Sequence, residues 1–479
     1  MGNRFVRVRF APIKTLPAAP ASPRGSASTT ESLARFAHAE SQQIASRKHN
    51  RSRKGCRDCR QRKVKCDEEF PVCRRCQQRG SLCQSEPPAH GWHLELPWIF
   101  AHASSDPSAP ISNADSNLLQ WWFDNTCHIM VLNPLINPLS YPILEHLAAS
   151  PALLHTVQSI SAAHQKYFDS RVITCFYQRS LALKLIHQEL SSKQTPPIVL
   201  FLTIFMLGIS SSWVDDSFQD FGKEHLLGAH AILDQILSDH ENWEDPNVKT
   251  ITGYYLFWDM AVSLLSESDE LPVIDTPEVQ GIVDKMENFF HPIGGYSVKI
   301  FYMLSILGRY FRTVLDKGQR DLLLELEWED SLTNWVPRNE DPYLFNLCDA
   351  FRRKGLILLN QVKFLSPVPG FDVEEYVTKE IQDHARYAVR ELLSVPVTEH
   401  CVTIQAIPLT LAASELTAED ANERAETLTR LKAIFSSCRV RTVLYAMSLL
   451  EQLWHLHDSG TRITYHELML RKKWKLSLV

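Results

Sequence analysis

Cys56-Arg57-Asp58-Cys59-Arg60-Gln61-Arg62-Lys63-Val64-Lys65-Cys66 is followed by Asp67-Glu68-Glu69-Phe70-Pro71-Val72 and then by Cys73-Arg74-Arg75-Cys76-Gln77-Gln78-Arg79-Gly80-Ser81-Leu82-Cys83. Six of the 11 cysteines of the 479-residue chain sit here, with 2, 6, 6, 2 and 6 residues between them. Such density means disulfides or metal. No apolar signal peptide precedes the run, so reduced thiolates are expected. A C-x-x-C turn brings two sulfurs to one ion, and soft thiolates in a tetrahedron at about 2.3 Å favour zinc. One tetrahedral ion would leave two cysteines over, and two separate sites would need eight. Six serve two zinc ions only if two sulfurs are shared. The run is a tandem C-x2-C-x6-C duplication, so the natural shared pair is the first cysteine of each half, Cys56 and Cys73. The neighbouring Arg and Lys offset the excess thiolate charge.

The charge is unevenly placed. The chain carries a net −5, which alone argues for no polyanionic partner. Residues 1–83, however, hold 19 Lys+Arg against 6 Asp+Glu, and the remaining 396 hold 31 against 49. A basic module is joined to an acidic body, and the module is where nucleic acid would bind. Its first six-residue spacer, Arg60–Lys65, has four cations, whereas Gln77–Leu82 has one. If each spacer forms a short helix, only the one around Arg60–Lys65 is equipped to enter the major groove, where Arg and Lys donate to guanine O6 and N7. Arg57, Arg60 and Lys65 suit phosphate contacts, which set register without reading sequence.

The cysteine run, over roughly residues 50–85, resembles the binuclear zinc cluster of fungal transcription factors. Pro71 matches the family's frequent proline before the fourth cysteine. The resemblance implies two zinc ions on Cys56, Cys59, Cys66, Cys73, Cys76 and Cys83, with the first and fourth bridging. It also implies double-stranded DNA as partner, a CGG triplet as target, Lys63 as the leading base reader, and Arg62 reading or bracing. The body from about 117 to 240 resembles the regulatory domain of the same regulators. Asn133-Pro134-Leu135, Pro151-Ala152-Leu153-Leu154-His155, Ala162-Ala163-His164, Tyr177-Gln178-Arg179-Ser180-Leu181 and His225-Leu226-Leu227-Gly228-Ala229 carry that likeness. A nuclear, zinc-dependent regulator of RNA polymerase II transcription is the implied function, with co-regulators or the transcription machinery as protein partners. A zinc-stabilised scaffold without a specific site, and a body that senses a small effector, are the alternatives.

Residues 1–46 are rich in Ala, Ser and Pro and are expected to be disordered. The basic stretch Arg47–Lys54 suits a DNA-backbone arm and a nuclear import signal. The module is expected over 47–85 and a Pro-rich linker over 86–115. Five prolines there forbid the heptad coil that many family members use, which leaves a homodimer open. The linker's Trp92, Leu94, Leu96, Trp98, Ile99 and Phe100 are expected to dock on the body, with binding of a protein partner as the alternative.

Residues 116–479 repeat apolar side chains every 3 or 4 positions, so the fold class is mainly α, with a small zinc module and a large all-α regulatory domain. Helices are expected near 152–168, 172–190, 198–213, 222–238, 247–267, 278–290, 297–316, 343–364, 373–394 and 420–456. Ser150-Pro151, Asp245-Pro246 and Thr276-Pro277 read as helix starts. Gln194–Val214 is uncharged, but prolines and serines cut its apolar centre to 12 residues, so a buried helix is expected and no membrane span. Asp321–Asp330 mixes acids with leucines, as activation segments and surface helices both do. Cys127, Cys175, Cys348, Cys401 and Cys438 lack metal spacing, and His455-Leu456-His457 reads as incidental. No phosphate-loop, dinucleotide or nucleophile-elbow motif occurs. No enzyme is expected.

Overall fold

The computed structural model describes residues 55–84, 115–165, 172–214, 219–267, 270–338, 340–367 and 374–479, together with the backbone of two short strands, 7–10 and 92–95. The basic stretch Arg47–Lys54 and the rest of the expected tail and linker lie outside the described residues, including Trp98, Ile99 and Phe100.

Two short strands accompany the helices. β1 (Arg7–Phe10) pairs antiparallel with β2 (Trp92–Glu95), matching Arg7 with Glu95, Val8 with Leu94 and Phe10 with Trp92. The segments assigned to tail and linker thus contribute a ladder. Its period-two signal, Val8 and Phe10 against Trp92 and Leu94, is split across roughly 80 residues of chain and escapes a local reading.

The module has two helices, α1 (Arg57–Gln61) and α2 (Arg74–Arg79). The body runs through α3 (Ser116–Asp124), α4 (Ile143–Ala149), α5 (Pro151–Gln165), α6 (Val172–Ser192), α7 (Pro197–Ile209), α8 (Ser211–Val214), α9 (Lys223–Leu237) and α10 (Pro246–Val262). It continues through α11 (Pro277–Lys285), α12 (Val298–Lys317), α13 (Leu322–Asn334), α14 (Pro342–Leu365), α15 (Glu374–Ser394), α16 (Ala406–Ser414), α17 (Ala421–Cys438), α18 (Thr442–Asp458) and α19 (Tyr465–Arg471). The fold is mainly helical, as its periodicity requires. The three anticipated starts are capped: Ser150 Oγ accepts the Leu153 N–H, Asp245 the Asn247 N–H and Thr276 the Val279 N–H.

One continuous cluster of buried apolar side chains extends from Leu119 to Val479. At its centre α7 is buried from Val199 to Ile209, with Phe201 stacked on Phe205 and Phe205 on Tyr254 of α10. Gly208 is obligatory there, because a Cβ would lie 2.1 Å from Trp258. Among the described residues, no helix is long and apolar enough to cross a membrane. The expected 420–456 helix is in fact two, α17 and α18, broken at Arg439 with φ 60°. The break places the Arg439 guanidinium where it donates to the His164 carbonyl at 2.9 Å. The His164 ring receives Trp121 Nε1 at 3.3 Å and contacts Thr126 Oγ1 at 3.0 Å and the Ser437 carbonyl at 3.1 Å. His164 and His155 on Gln178 are therefore buried polar pins, and the half-buried Arg179 holds the Leu207 carbonyl, which is what the regulatory-domain motifs do physically.

Candidate metal centre and nucleic-acid interface

Each half of the module uses its first cysteine as a helix N-cap. Cys56 Sγ accepts the Cys59 N–H at 3.3 Å, so α1 begins inside the C-x-x-C rather than after it. Both helices end alike. Lys63 N–H reaches the Arg60 carbonyl and Val64 N–H the Cys59 carbonyl, at 3.1 and 3.0 Å. Gly80 and Ser81 repeat this on Gln77 and Cys76, both at 3.0 Å. These are paired Schellman closures, and each needs a left-handed residue after the helix. The second half supplies Gly80, φ 60°; the first supplies Lys63, φ 58°. Of the anticipated helix around Arg60–Lys65, only Arg60 and Gln61 lie in α1, and from Arg62 the chain turns away. The chain must turn there to bring Cys66 back to the sulfurs.

The turns gather all six cysteines. Cys56, Cys59, Cys66 and Cys73 have their sulfurs within 4.8 Å of one another, and so do Cys56, Cys73, Cys76 and Cys83. The two sets share Cys56 and Cys73. Sulfurs of Cys56 and Cys73 are 3.8 Å apart, Cys56 and Cys76 3.7 Å, Cys59 and Cys73 3.8 Å. A tetrahedron with metal–sulfur bonds of about 2.3 Å has edges of about 3.8 Å, so the donor set fits two zinc ions. Burial pushes the Cys59 and Cys76 thiols up to about 11 and Cys73 to about 12, and Cys56 up as well. Cys66 is also desolvated, but the backbone N–H groups of Cys56 and Glu68 hold it down. Sulfurs so crowded ionise together only against cations, which divalent metal supplies. Among the described residues every group arranged for a metal lies in this module, and His455-Leu456-His457 joins none.

Asp58 was not anticipated. Its carboxylate takes Arg62 at 2.5 Å, with Cys76 Sγ and Ser81 Oγ each at 3.3 Å. Burial opposes its ionisation, but these donors prevail and hold it below its ordinary range. Once Cys76 is a thiolate it ceases to donate, leaving Arg62 and Ser81. Arg62 is consequently turned inward, half-buried, with Nη2 also 4.0 Å from Cys59 Sγ. Arg57, Arg60, Lys63 and Lys65 stay exposed, together with Val64. The signal that could have found Asp58 is the broken duplication: Arg75 holds the equivalent place in the second half.

The second half faces the body. Lys432 Nζ of α17 donates to the Gly80 carbonyl at 2.6 Å, and Leu82 packs on the main core. Gly80 and Leu82 are the duplication partners of Lys63 and Lys65. One copy is therefore spent on docking and the other presents cations outward.

Comparison with known proteins accords with this geometry. The family model described as the fungal Zn(2)-Cys(6) binuclear cluster domain matches residues 54–91, and that described as the fungal specific transcription factor domain matches 117–479. The chain is also 27% identical over 151 residues to the endoribonuclease YSH1 of Candida glabrata, covering 28% of this chain and 19% of that protein. The chain thus spans about a fifth of the length of that curated relative. No solved structure matches. The cluster domain binds two zinc ions, and the pair of domains makes the protein a DNA-binding transcription factor. With its model spanning residues 117–479, the fungal specific transcription factor family is the one to which this chain belongs.

Proposed function

We propose that the protein regulates RNA polymerase II transcription in the nucleus by reading CGG-type triplets in the major groove. In this reading Cys56 and Cys73 bridge the two zinc ions, Cys59 and Cys66 complete one site, and Cys76 and Cys83 the other. Lys63 reads bases. Arg62 braces the turn through Asp58, while Arg57, Arg60 and Lys65 contact phosphates. The module occupies residues 47–85, the linker 86–115 and the regulatory domain 116–479, which recruits co-regulators or the transcription machinery. The carrying observation is Lys63: an exposed, non-glycine residue in a left-handed turn whose twin is Gly80. A strained backbone position given to a long cation points to a role for that cation. Fluorescence anisotropy of zinc-loaded protein on a CGG duplex and on a scrambled one, across a salt series, tests this. Preference for CGG at every salt supports it. Equal affinities falling together with salt would instead mark the scaffold alternative.

A second reading has its own observation. Between α11, α12 and α13 lies an open cavity of about 1250 Å³ lined by Tyr302, Tyr310, Trp328, Trp335, Met303 and Ile306, of a size and chemistry to admit a small effector. Thermal stabilisation by one class of metabolite, lost in Trp335→Ala, would establish that the body senses such a ligand.

A further inference from the structure

Lys354 on α14 is 4% exposed, and no carboxylate pairs with it among the described residues. Its ammonium instead points at Met260 Sδ of α10, 3.1 Å away, a weak acceptor for a cation. The same side chain lines a cavity of about 40 Å³ with Thr410 of α16 and Tyr465 and His466 of α19. Thr410 Oγ1, Tyr465 Oη and His466 Nδ1 are all buried without a hydrogen-bond partner. Native cores rarely leave one such group unsatisfied, and here three belong to residues that line one void with a lone cation, among apolar neighbours such as Leu264, Leu411 and Met469.

The chemistry of the lining selects the occupant. Lysine donates only, and threonine, tyrosine and imidazole can each donate, whereas the thioether is a poor acceptor. A water molecule finds acceptors in the hydroxyl oxygens and the neutral imidazole, but it brings no charge to offset the ammonium. A monatomic anion accepts from every side and neutralises the ammonium, removing the large cost of an unpaired buried charge. The volume suffices for a few water-sized bodies at most, which favours a halide over a phosphate or sulfate carrying further charge. We infer that Lys354, Thr410, Tyr465 and His466 form a chloride-class anion site that ties α10, α14, α16 and α19 together. Burial pushes the Lys354 ammonium down to about 7, the cost that an anion beside it would remove.

The test uses the full-length, zinc-loaded chain at constant ionic strength, with glutamate replaced stepwise by bromide. The melting temperature is expected to rise by about 2 °C per tenfold bromide above the dissociation constant. Lys354→Met, which keeps the volume and suits apolar neighbours, should fold and lose that dependence. Crystals soaked in bromide should show an anomalous peak within the cavity. Equal melting temperatures in bromide and glutamate, a bromide dependence that persists in Lys354→Met, or water density without anomalous signal would each overturn the assignment.

Discussion

Lys63→Gly separates reading from folding, because it should improve one and destroy the other. Lys63 sits at φ 58° in a turn that its twin closes with Gly80 at φ 60°. Left-handed backbone costs an L residue roughly 1–2 kcal/mol. Glycine avoids this but loses roughly 0.5–1 kcal/mol through its freer unfolded chain. The net gain is therefore about 0.5–1 kcal/mol in module stability, from relief of strain and not from any new contact. Zinc release from the full-length protein into excess chelator reads that gain as a slowing of roughly two- to fivefold, since release follows local opening. On DNA the same variant should lose the roughly 1–3 kcal/mol of discrimination that a good lysine–guanine contact supplies, while affinity for scrambled duplex falls only by one cation's share. Faster zinc release together with unchanged CGG preference would show that Lys63 is neither strained nor a reader.

Three further outcomes follow from the packing. Gly208→Ala should lower the melting temperature by the equivalent of roughly 1–3 kcal/mol, since its Cβ would meet Trp258 at 2.1 Å; an unchanged melting curve would contradict the packing of α7 on α10. Burial lowers His225, His291 and His384 to about 4 and His466 to about 3, so they fold neutral, whereas the unfolded chain takes up protons near its ordinary 6.5. Stability contributed by each is complete above about pH 6.5 and falls below it by up to about 1.4 kcal/mol per pH unit until the folded pKa is reached, so urea midpoints should drop steeply from about pH 6 to 5. Leu82→Ser with Lys432→Ala should release the module from α17, raising the radius of gyration in small-angle scattering while two zinc ions stay bound; unchanged scattering would contradict the docking contact.

The cysteine module was legible because covalent spacing limits how six sulfurs can meet, and that constraint needs no tertiary context. The boundaries of α1 were not. Spacing alone cannot show that Cys56 caps its own helix or that Lys63 takes a glycine's place in the closing turn. Most body helices were legible through periodicity and caps, whereas the break between α17 and α18 was hidden because Arg439, not glycine, holds the left-handed turn. Its reason, the bond to His164, is 275 residues away in sequence. The short or poorly amphipathic α4, α16 and α19 were missed on the same ground: tertiary burial, not local pattern, maintains them. Asp321–Asp330 resolved into α13, whose Leu323 is 80% exposed and Leu326 62%, an acidic and apolar face that sequence could describe but not place.

Sequence-specific reading falls to the outward-facing half of the module in the proposed function. Selection from random DNA with the full-length, zinc-loaded chain, followed by sequencing, tests it most directly. Enrichment of CGG-type triplets is expected, either singly or paired at a fixed spacing, with loss of that enrichment in Lys63→Gly. No enriched sequence from protein carrying two zinc ions would contradict it.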